Sequence, residues 1–120
     1  MKMKSRIGLA VVLAGMALIG NQGTAAPALK TAPGSKAEFH NIEGIDHYNQ
    51  GHWDDAKSHF SEAVRLDPQS AEAHYNLALA LDKEGDHKGA TEHFKTAYDL
   101  GKNNPDIRNS KVLKAHLKMK

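Results

Sequence analysis

Eight histidines in 120 residues are the first place to look for chemistry. Imidazole exchanges a proton near neutral pH and is a frequent transition-metal ligand. Glu43 and His47 stand four apart, as do Asp55 and His59. On a helix that spacing puts carboxylate and imidazole on one face, where they could share a proton or a metal. The spacing brings no third ligand to either pair and no two histidines are four apart. Metal or haem binding through histidine is therefore the third-ranked functional reading, and no metal site or cofactor is assigned. His40/His74 and His59/His93 are expected to fill repeated half-buried places, and so many groups titrating near pH 6 predict some pH-sensitivity of stability. There is no cysteine, hence no thiolate nucleophile, disulfide or thiolate metal site. Without a Gly-rich phosphate loop or a Ser/His/Asp order in a pocket-forming fold, no catalytic residue is assigned and the chain is not expected to be an enzyme.

The elements that position these residues must fit one small domain, since 13.1 kDa leaves no room for a second core. Charged residues at 25% and hydrophobics at 40% fit a globular chain. The first 26 residues differ from the rest. Lys2, Lys4 and Arg6 lead an apolar run from Ile7 to Ile19, followed by small residues to Ala26. That order describes a cleaved signal peptide, with the cut between residues 25 and 28. The run is shorter than the ~20 residues that span a bilayer, so an uncleaved membrane anchor is the minority alternative and no span remains after cleavage. The implied location is exported, periplasmic or secreted, in a bacterium. Removing three positive charges takes the net charge from +2 to −1. A near-neutral chain gives no support to nucleic-acid binding. Residues 37–99 hold thirteen acids against five bases, whereas residues 102–120 hold six bases against Asp106 alone.

Residues 27–36 carry two prolines and a glycine without apolar period, and are expected to be a flexible leader. Beyond them the chain repeats itself. Residues 37–70 laid over 71–104 match at nine places, among them His40/His74, Gly51/Gly85, Ala56/Ala90, His59/His93, Phe60/Phe94 and Ala63/Ala97. Each unit reads as helix, glycine turn, helix, with Ser70 capping the third helix and Asp54 the second. The alanines mark helix crossings. Asn104-Pro105-Asp106 starts a fifth helix, and residues 105–120 are expected to form a basic capping helix.

At these residues the chain resembles the tetratricopeptide repeat family, a 34-residue helix–turn–helix unit. The matching residues are Gly44, Leu77, Ala78, Gly51, Gly85, Trp53, Ala56/Ala90, Phe60/Phe94, Ala63/Ala97 and Pro68. His40 and His74 stand where the family usually has tryptophan. The implied fold is all-α, an α-solenoid of two repeats (37–70 and 71–104) closed by a C-terminal solvating helix.

The resemblance also implies a function. First helices of such repeats line a concave face that receives another chain. The groove residues would be Asn41, Ile45, Tyr48, Tyr75, Asn76, Leu79 and Asp82. Exposed together, Ile45, Tyr48, Tyr75 and Leu79 would make a peptide-sized apolar patch with Asn41, Asn76 and Asp82 on its rim. Two alternatives compete with exposure: these residues form the core stripe of a rotated helix, or the leader folds back over them. The carboxylate clamp known in the family is rejected, because its basic partners are missing. The leading expectation is an exported scaffold binding a peptide or protein segment, within an envelope assembly. The alternative is a self-associating subunit, stacked head to tail, since about three repeats are usually needed for stability.

Overall fold

The computed structural model describes residues 25–120. The expected signal peptide lies almost wholly outside them. Six helices follow in chain order: α1 Glu38–Asn49, α2 Trp53–Leu66, α3 Ala71–Lys83, α4 His87–Leu100, α5 Pro105–Arg108 and α6 Lys111–His116. Among the described residues there is no strand, and no helix is long and apolar enough to cross a membrane.

Local chemistry sets the breaks. Gly51 and Gly85 end α1 and α3 at φ +80° and +88°, a conformation that a side chain resists. Ser70 Oγ accepts the Ala73 N–H at the start of α3, as expected. Asp54 does not cap α2. It sits inside the first turn, and the cap position falls on His52, whose side chain makes no capping bond. In the second unit the matching residue is Asp86, and its carboxylate accepts the Gly89 N–H at 2.9 Å. The tail also differs from expectation. Asn104 caps α5 through the Asp106 N–H, but α5 stops after four residues. Ser110 then caps a separate α6 through the Leu113 N–H. Asn109-Ser110 is a turn-and-cap pair that breaks the single basic helix into two.

The helices pair α1 with α2 and α3 with α4, and α2 packs on α3 to join the units. Alanines make the crossings: Ala56, Ala63, Ala90 and Ala97 are fully buried. Ala37, Ala63 and Ala73 form one small-residue junction between the units, where only such residues permit close axial approach. Phe60 and Phe94 fill the centre of each unit, and Ile107 and Leu113 from the tail are equally buried. The tail thus closes the C-terminal end of the core. At the N-terminal end Phe39 is 65% and Ile42 52% exposed on α1 among the described residues.

Candidate functional site

All seven residues expected in the groove lie on α1 and α3. They are not an exposed patch. Tyr48, Tyr75 and Leu79 are almost fully buried, and Asn41 and Asn76 are completely so. Ile45 and Asp82 are half-buried. The reason is that the leader is not a free tether: it runs across the groove in extended form and is held there by side chains.

The hold is on the backbone. Asn76 Oδ1 accepts the Leu29 N–H at 2.7 Å, and Asn76 Nδ2 donates to the Leu29 carbonyl at 2.7 Å. One side-chain amide therefore pairs with both polar groups of a single residue, as a neighbouring strand would. Asn41 Nδ2 donates to the same carbonyl at 2.8 Å. Asn76 Nδ2 also donates to Asn41 Oδ1 at 2.7 Å, tying the helices together beneath the leader. Three residues upstream, the Tyr48 hydroxyl donates to the Ala26 carbonyl at 2.7 Å. Burial pushes the Tyr48 phenol well above its usual range, with Tyr75 and Asp82 adding to the effect. It stays a neutral donor at any physiological pH.

Two fully buried asparagines need partners, because an unsatisfied buried amide costs about 1–3 kcal/mol. Here the partner is peptide backbone, which any sequence supplies. The Leu29 side chain and Ala26 and Ala28 pack against the core as partly buried apolar groups. The leader turns away at its far end, where Gly34 N–H donates to Glu38 Oε1 at 2.7 Å.

The leader does not fill the concavity. A half-open cavity of about 570 Å³ remains beside it, bounded by Ala25, Ala26, Pro27 and Leu29 on one side. Tyr48, Tyr75, Leu79 and Asp82 form its floor, and Asp106, Ser110 and Val112 of the tail its far wall. Tyr75 Oη is 2.6 Å from Ser110 Oγ, so the floor is anchored to the residue that caps α6. Burial raises the Tyr75 phenol too. The tail's part in the groove escaped the sequence, whereas the leader folding back over these residues was one of the two alternatives to an exposed patch. The segment that does so is a short small-and-apolar run, Ala25-Ala26-Pro27-Ala28-Leu29, in a proline-broken stretch.

The histidines pair across helices rather than along them. His40 Nδ1 faces His59 Nδ1 at 3.0 Å, and His74 Nδ1 faces His93 Nδ1 at 3.0 Å, one pair per unit. His59 also stacks on His47, at 5.5 Å between ring centres. Asp55, four residues before His59, instead approaches His47 Nδ1 at 3.9 Å. Folding gathers two triads that spacing did not show, His47–His52–Asp55 and Asp82–His87–His116.

A tetratricopeptide repeat family model matches residues 43–105, which spans the second half of unit one's first helix through the start of α5. No curated protein matches the chain.

Proposed function

We propose, for a chain that belongs to the tetratricopeptide repeat family, that its concave face receives an extended segment of a partner protein by its backbone. Repeats of this family are interaction modules, and the reading deepens that general role. The single observation that carries it is the Asn41–Asn76 pair. Both are fully buried and both bond the main chain of Leu29, so the groove recognises peptide groups rather than particular side chains. The occupant it suits is extended, uncharged and built of small apolar residues around one leucine-sized group. The leader models that occupant and competes with it, so a partner must displace residues 26–29 or add alongside them in the remaining cavity.

Export belongs to the same reading, with cleavage after Ala25. A cut after Ala25 keeps the Tyr48 bond to the Ala26 carbonyl and the asparagine bonds to Leu29, whereas a cut after Ala28 removes the Tyr48 bond. Mass measurement of the N-terminus of the exported chain distinguishes the two.

The binding test uses a labelled peptide of residues 25–34 and the full chain. Saturable binding, weakened by Asn76→Ala and accompanied by faster amide exchange at Leu29, is the expected result. Binding that ignores Asn76→Ala, or loss of helicity on mutation, makes these residues plain core.

A second reading, self-association, is favoured by Phe39 and Ile42. Phe39 occupies the place that Ala73 holds in the second unit, where Ala73 is buried against α2. Head-to-tail stacking would have to dislodge Ile107 and Leu113 from the capped end. Pairing of two α1 outer faces requires no such change. Sedimentation of the full chain tests it, with Phe39→Glu expected to abolish any dimer.

A further inference from the structure

Two neighbouring helix ends and the distant tail bring one carboxylate and two imidazoles to one point. Asp82 lies in the last turn of α3, His87 opens α4 and His116 ends α6. Asp82 Oδ1 is 2.6 Å from His87 Nδ1 and 2.9 Å from His116 Nε2. The three ligand atoms all lie within 4.8 Å of one another.

The protonation pattern of His116 makes this more than proximity. Its Nδ1 lies 3.0 Å from the Val112 carbonyl oxygen. A carbonyl can only accept, so Nδ1 carries the ring proton. Nε2 of the neutral ring then aims a lone pair at a carboxylate oxygen, acceptor against acceptor. Such a contact is favourable only with a cation between the two atoms, and that cation is either a second proton or a metal ion. A ring held by Nδ1–H to a backbone carbonyl, with Nε2 turned to the site, is the arrangement that orients metal-ligating histidines. The setting is graded as a site should be. The side chains of His116 and Asp82 are 14% and 24% exposed, while His87 is 71% exposed and faces solvent.

We propose that Asp82, His87 and His116 form a binding site for a divalent transition metal, with Zn²⁺ the best-matched ion and water as its fourth ligand. Two imidazoles and one carboxylate are a borderline donor set that suits Zn²⁺ and its neighbours and is poor for Mg²⁺ or Ca²⁺, which take oxygen ligands. Tetrahedral coordination with bonds of about 2.0–2.1 Å sets donors about 3.4 Å apart. The two contacts to Asp82 must therefore open by roughly half an ångström or more. A small side-chain rotation of His87, exposed at the first position of α4, opens its own contact, and rotation of the Asp82 carboxylate opens the one to His116. The bound ion ties the tail to the second unit. It also neutralises Asp82, which lines the cavity beside the leader. The site stands independently of the peptide-binding reading.

The other triad, His47–His52–Asp55, serves as the control. His52 and Asp55 are exposed, and the two histidines turn their Nδ1 atoms toward one another at 3.5 Å.

The test is titration of the full chain with Zn²⁺ followed by equilibrium dialysis, with melting temperature as a second readout. Saturable uptake of one ion per chain and a chelator-reversible rise in melting temperature are expected. His87→Ala removes an exposed side chain and leaves folding intact, and it should weaken binding at least tenfold. Asp82→Asn and His116→Gln should do the same, with helicity checked in chelator. His52→Ala should leave binding unchanged. Absence of saturable uptake overturns the proposal and leaves Asp82–His116 as an imidazolium ion pair. Uptake lost with His52→Ala but retained with His87→Ala overturns it in favour of the other triad.

Discussion

The two units are copies in period and differ in what surrounds them. α3 buries nine of its thirteen residues, whereas α1 buries three of twelve. α3 lies between α2, α4 and the leader, while α1 leaves Phe39 and Ile42 largely exposed among the described residues. Place in the stack, more than the inherited pattern, decides burial: Phe39 is exposed where Ala73 is sealed. The inner unit therefore needs small residues where the outer one tolerates a large ring. The centres of the units reverse that order. A Cβ built on Gly44 would collide with the Phe60 ring, yet the matching place in unit two carries Ala78 beside Phe94. Unit one is packed tighter at its centre and looser at its edge.

The sharpest way to break this contrast is at the centres. Phe60→Ala should cost about 3–5 kcal/mol in denaturant unfolding. Gly44→Ala should cost about 1–3 kcal/mol from overpacking, despite the better helix propensity of alanine. In the Phe60→Ala background the same methyl group enters vacated space, so Gly44→Ala should there become neutral or stabilising. Such non-additivity is the signature of direct contact. Additive costs would mean that the ring can yield, and that Gly44 is not needed for Phe60. Ala78→Gly, at the same place in unit two, should cost about 1 kcal/mol by helix propensity.

The next effect compares the two asparagines. Asn76 bonds both polar groups of Leu29 as well as Asn41, while Asn41 bonds only the Leu29 carbonyl and Asn76. Asn76→Ala should cost toward the upper end of about 1–3 kcal/mol and Asn41→Ala toward the lower end. Limited proteolysis should cut the leader faster in both, and first in Asn76→Ala. Equal sensitivity would mean that the additional bond from the Leu29 N–H to Asn76 adds nothing to the hold.

Helix starts supply a smaller contrast. Asp86→Ala should cost about 1 kcal/mol because its carboxylate caps α4. His52→Ala, at the matching place in unit one, should stay within about 0.5 kcal/mol, as surface substitutions usually do. A large loss at His52 would reveal a role for the imidazole other than capping.

These contrasts also mark what the sequence can and cannot disclose. The 34-residue stride, the turn at Gly85 and the cap at Ser70 are legible because each depends on residues a few places apart. Asn41 and Asn76 are placed on the concave face by resemblance alone, and their complete burial follows from a leader 12 and 47 residues away in sequence. An extended, proline-broken stretch has no periodicity to betray where it lies. The break at Ser110 was legible in principle, since a serine before Lys111-Val112-Leu113 is a cap signal, but the apolar rows running across it obscured it. The Asp82–His87–His116 triad depends on the tail's return to α3, which no spacing encodes. His52 in place of Asp86 shows the limit of arguing from one repeat to the next.

The smallest expected effect concerns protons in unit two. His74 Nε2 lies 2.9 Å from the Pro68 carbonyl oxygen, so that nitrogen carries the proton of the neutral ring. His74 Nδ1 must then accept from His93 Nδ1–H at 3.0 Å. Burial pushes the His93 pKa down, the facing His74 adds to this, and Glu92 and Asp86 oppose it. A histidine whose folded pKa is depressed binds its proton more readily when unfolded. Its contribution to stability is therefore complete above the ordinary imidazole range and is lost as pH falls through the depressed folded value. Melting temperature should decline on acidification through and below pH ~6.5, the usual histidine value. His93→Gln should flatten the slope while leaving helicity intact at pH 7. A slope unchanged in His93→Gln would show that the acid response does not come from this pair.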